Sequence, residues 1–127
     1  MQTQNIVVSF VAAEAITEFA LVSIDTAGKI VITDAGTDAK CVGVAQRACS
    51  TGEVTDVLVH GVTRAISAGS LTFATNPILA ATTNGKLEAV ASSDYAVARI
   101  LPNINQTSSA ADEQINVLFF GPVEVKA

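Results

Sequence analysis

The chain contains no tryptophan, one tyrosine and one histidine in 127 residues, and aromatic residues make up 5 % of it. Without Trp, and with Tyr95 alone, it lacks the flat stacking platform on which sugars or single-stranded nucleic acids usually rest. Charge is also scarce: Asp, Glu, Lys and Arg together reach 15 %, and the net charge is −5. The seven Lys and Arg are scattered, with no basic run. A chain of that charge has little to offer a phosphate backbone, so nucleic acid is not an expected partner. No apolar run approaches the roughly 20 residues needed to span a bilayer as a helix. The first ten residues, MQTQNIVVSF, carry no Lys or Arg of the kind that opens a signal peptide. The expectation is a soluble chain made in the cytoplasm, with no membrane partner.

Reactive constellations are missing as well. His60 precedes Gly61 at the end of an apolar run; Asp56 lies four residues earlier, about 13 Å away on a strand, too far to orient it as a base. The acids are dispersed, and Asp34-Ala-Gly-Thr-Asp38 is too sparse for a calcium loop. No GxGxxG or GxxxxGK[ST] phosphate-binding pattern occurs. Cys41 and Cys49 lack the further Cys or His ligands of a zinc site. They read as reduced, partly buried small residues, with a cross-strand disulfide as the alternative. The expectation is no enzymatic activity, no metal, no cofactor and no small-molecule substrate.

What is present is β-forming. Val, Ile and Thr number 39 against 7 Leu. β-Branched side chains are stiff at χ1 and suit a pleated surface. Short apolar runs alternate with turn residues every eight to twelve positions, a spacing typical of barrels and sandwiches. Phe19–Ile24 and Lys29–Thr33 flank the turn Asp25–Gly28. Cys41–Arg47 follows, with Gly43 marking a bulge or a close backbone approach. Val54–His60 and Val62–Ile66 stand on either side of Gly61. Asn84-Gly85 is the strongest two-residue hairpin signal, joining Ile78-Leu79 to Lys86–Val90. Tyr95–Leu101 and Gln114–Phe120 come last. Ile115, Val117 and Phe119 share one face of that final strand, and Leu118 and Phe120 load the other. Ala12–Phe19 and Ala89–Asp94 could each make a turn or two of helix. The fold class is therefore mainly β: a small β-barrel or β-sandwich with an extended N-terminal arm and little helix.

Two segments stand apart. Residues 1–18 are an N-terminal arm or a first strand, ahead of a β domain at 19–127. The apolar residues Ile6, Val7, Val8, Phe10 and Val11 would need a surface to cover them. Pro102–Glu113 is a polar loop of about twelve residues, at the long end for a compact domain, and touches something or moves.

The order of turns resembles a known family. It is carried by CVGVAQRACSTGEVTDVLVHGVTRAISAG, then NGKLEAVAS, then INVLFFGP. A Gly-Val-Ala strand, a Gly-Glu turn, a strand ending in Gly-Val, an Ala-Gly turn, an Asn-Gly hairpin and a last strand followed by Pro are similar to the small capsid decoration, or cement, proteins of tailed bacteriophages. The resemblance runs from about Phe19 to Pro122; the N-terminal segment and the Pro102–Glu113 loop depart from it. It implies a structural virion protein on the outer face of the phage head. Its implied partners are the major capsid protein and copies of itself, with a trimer favoured. Contact residues would then come from the two departing segments: Ile6, Val7, Val8, Phe10 and Val11 from the first, Ile104, Asn105 and Gln106 from the second. The rival readings are another phage structural part, such as a tail-tube or fibre-base subunit, and a small carbohydrate-binding β-sandwich.

Overall fold

One strand, β5 (Val54–Ile66), organises the computed structural model, which describes residues 5–35, 40–74, 77–91, 94–101 and 106–124. Its first half pairs antiparallel with both β1 (Ile6–Val11) and β4 (Cys41–Ala45). Leu58 is opposite Val7 in one pairing and Val44 in the other, so β1 and β4 lie on opposite edges of β5. Its second half pairs with β11 (Gln114–Glu124), Ala65 standing opposite Ile115. Gly61 sits between the halves at φ +134, a conformation that L side chains rarely adopt. The sequence places a break at Gly61; the chain instead continues through it as a single strand.

The remaining strands extend the sheet in both directions. On one side β4 pairs with β2 (Leu21–Ile24), which pairs with β3 (Ile30–Ile32). On the other, β11 pairs with β9 (Tyr95–Ile100), then β7 (Ile78–Ala81), then β8 (Leu87–Ala89). A small second ladder joins β6 (Leu71–Thr72) to β10 (Ser108–Ser109). The mainly β class holds, and the sheet curls into a half-barrel. The expected helical turns at Ala12–Phe19 and Ala89–Asp94 are absent from the described residues there. Within the long polar loop, Ser108-Ser109 hydrogen-bonds as strand, because ladder bonds come from the backbone and need no apolar pattern.

Successive strand residues point to opposite faces, and here both faces are used. Leu21, Val44 and Leu58 join a large core with Leu79, Leu87, Val97, Ile115, Val117 and Phe119. Their neighbours Val22, Ala45 and Val57 face a second, smaller core. That core is closed by Ala12, Ile16, Ala20 and Ile30. The segment supplying the first three is held by backbone bonds: Ile16 and Cys49 exchange two, at 2.9 and 3.0 Å, and Phe19 N–H donates to Ala45 at 2.8 Å. Cys41 lies in the first core and Cys49 against the second, and no disulfide joins them.

Glycine explains two local features. A Cβ at Gly43 would fall 2.3 Å from the Leu58 carbonyl oxygen, so β4 can lie this close to β5 only with glycine there. The register of β2 on β4 also shifts at this point, between Val22 and Ser23. At the β7–β8 hairpin, Asn84 and Gly85 both take positive φ, 60 and 70. They do not form a two-residue loop alone, since the last pair is Ala81–Leu87 and residues 82–86 make the connection.

Candidate functional site

β1 is an edge strand: among the described residues its pairing is with β5 alone. Four of its six residues are aliphatic and exposed, Ile6 by 55 % and Val7 by 49 %. Edge strands usually carry charge, proline or a bulge that discourages pairing with another chain. No charged side chain, proline or glycine occurs before Glu14. The bulge between Ile6 and Val7 is the one such device on β1.

The register sorts the strand into faces. Val8 is opposite Val57 and Phe10 opposite Thr55. Phe10 is half-buried against the smaller core, while Val8 remains exposed. On the other face, Val11 is opposite the exposed Val54, and Ser9 is opposite Asp56. The Asp56 carboxylate accepts from Ser9 Oγ at 3.1 Å and pairs with Arg47 at 3.4 Å, which compensates the acid within this face. Val62, also exposed, continues along β5 past His60 and Gly61. Ile6, Val7, Val11, Val54 and Val62 thus accompany an open strand edge. Covering a side chain of this size completely is worth about 1.5–3 kcal/mol, so half-exposed ones leave a sizeable part of that unclaimed.

Of the expected contact residues, Ile6, Val7, Val8, Phe10 and Val11 come together on β1, with Phe10 turned partly inward. Val54 and Val62 complete the surface and were not legible as partners, being brought to β1 by a pairing far apart in sequence. Ile104 and Asn105 lie outside the described residues. Gln106 lies elsewhere, beside a mostly apolar cavity of about 400 Å³ lined with Phe73, Pro77, Arg99 and Ile100. Its Oε1 is buried without a hydrogen-bond partner, and its Nε2 makes a long 3.5 Å contact to the Ser108 carbonyl. His60 is exposed on β5 opposite Ile6. Among the described residues no group of three or more His, Cys, Asp or Glu could hold a metal ion.

No family model matches this chain. No curated protein sequence matches it either. Among solved structures it is similar to the head fiber gp8.5 N base of bacteriophage phi29, with a TM-score of 0.69 and 10 % sequence identity, over 96 % of this chain and 100 % of that one. At that identity the likeness is one of fold.

Proposed function

We propose that this chain is a structural protein of a bacteriophage head, attached through the β1–β5 surface. The observation that carries the reading is an apolar edge strand without charge or proline, exposed on a domain whose fold is similar to a phage head fiber base. The attachment is to the major capsid protein or to sister subunits, and a homotrimer is the expected oligomer. Many such contacts repeated over a shell add through multivalency, so each one can be weak.

Two placements fit. As a decoration protein the chain would cover the outer face of the head and stabilise it. As a fibre base it would anchor a projecting part, and the fold likeness to a head fiber base favours this second placement equally. Labelled protein viewed on virions by electron microscopy separates them: label spread over the shell supports decoration, and label confined to projections supports the fibre base. Label on the tail, or none on the particle, would overturn both. In solution, native mass tests the trimer.

A further inference from the structure

We propose that Asn84-Gly85 is a latent deamidation site, silenced in the folded protein by the docking of its turn onto Thr33. The reaction is hydrolytic and needs only water. The Gly85 backbone nitrogen attacks Cγ of Asn84, the new N–Cγ bond forms and the Cγ–Nδ2 bond breaks. The proton lost by the attacking nitrogen leaves with the side-chain amide as ammonia. Water then opens the resulting succinimide at either carbonyl, giving an aspartyl or an isoaspartyl linkage. Glycine in the second position leaves the nucleophile unhindered, and Asn84 is exposed to water.

The fold blocks the first step in three ways. Gly85 N–H is committed, donating to the Thr33 carbonyl at 2.8 Å. Thr33 is itself fixed: it is fully buried, its N–H donates to Leu21 at 2.9 Å, and its hydroxyl lies 2.7 Å from Ser23 Oγ. Gly85 is also wedged in place, since even a Cβ there would fall 2.9 Å from Ala20 Cβ and from the Leu21 nitrogen and oxygen. Finally, Asn84 N–H donates to Asp34 Oδ1 at 3.0 Å, which holds Asn84 at φ 60, ψ 26. Ring closure swings the Gly85 nitrogen toward the Asn84 side chain, and so pulls it away from Thr33.

Opening the turn starts an irreversible change. Either product puts a new carboxylate beside Asp34, where like charges repel. The isoaspartyl form also adds a backbone carbon to a turn that has no spare room at Gly85. Chains that stay open are thereby marked and kept from closing again.

The test compares the intact protein in mildly alkaline buffer with the same protein in urea, following the Asn84 peptide by mass spectrometry. Deamidation at least about tenfold slower in the folded protein is expected, because the site reacts only through local opening. Equal rates would overturn the proposal. Asp34→Ala removes one clamp and should speed deamidation of the folded protein; an unchanged rate, in a variant whose circular dichroism is native, would also overturn it. Asn84→Gln should abolish the mass gain in that peptide, and its persistence would show that another residue is the source.

Discussion

The Asn5 carboxamide completes the β1–β5 ladder where backbone pairing gives out. Its Nδ2 donates to the Val62 carbonyl at 3.1 Å, and its Oδ1 accepts from Val62 N–H at 3.0 Å. The side chain thereby occupies the place of a further strand residue. It fits because Gly61 has no side chain: a Cβ there would fall 2.2 Å from Asn5 Oδ1.

Asn5→Ala should loosen β1 without unfolding the domain. Two exposed hydrogen bonds are lost, worth about 1 kcal/mol each at most. Hydrogen exchange checks this: faster exchange of β1 amides is expected, with β9 and β11 amides unchanged. Gly61→Val should do more, since it adds both the clash and a strained φ of order 1–3 kcal/mol.

Gly43→Ala is expected to destabilise the whole protein by more than about 1–3 kcal/mol, the usual cost of overpacking. The atom it strikes is the Leu58 carbonyl oxygen, which belongs to the ladder and cannot turn aside like a side chain. The fall should appear in the denaturant midpoint.

Phe119→Ala empties the largest fully buried side chain of the main core. A loss of about 3–5 kcal/mol is expected. Urea unfolding should show it as a lower midpoint with little change in slope.

Val7→Lys with Val54→Lys places two charges on the exposed β1–β5 surface. Both positions are about half exposed in the chain alone, so folding stability should move by no more than about 0.5 kcal/mol. Attachment to heads lacking the protein should fall at least tenfold, read by co-sedimentation. Unchanged attachment in a normally folded double variant would remove this surface from the proposed function.

Lys86→Met breaks an ion pair with Asp112. Asp112 is mostly exposed, so the cost should stay below about 1 kcal/mol and shrink further in high salt. Thermal melts at two ionic strengths check it.

The strands were legible in the sequence where they alternate between apolar and turn residues, and so was the special position Gly43. Gly43 is a close approach to Leu58 and sits beside the register shift of β2 on β4. Ile115, Val117 and Phe119 share a buried face, while Leu118 and Phe120 are half-covered on the other. What stayed hidden depends on distant partners. The continuity of β5 through Gly61 rests on β1 and β11 holding the two halves in line, and Ser108-Ser109 becomes strand only because Leu71-Thr72 lies beside it. The candidate site was half legible for the same reason. An uncharged N-terminus marks β1 as needing cover, but nothing local to Val54 or Val62 says that they lie along it.

The antiparallel seam between β1 and β5 also sets how the molecule can bear force. Six register pairs join the two strands, from Ile6–His60 to Val11–Val54. A pull along β1 loads all of these rungs in shear at once, whereas a pull across it opens them one at a time. Whatever grips β1 therefore draws directly on the strand to which both halves of the sheet are fastened, and the direction of the tug decides whether the joint behaves as a rivet or as a zip.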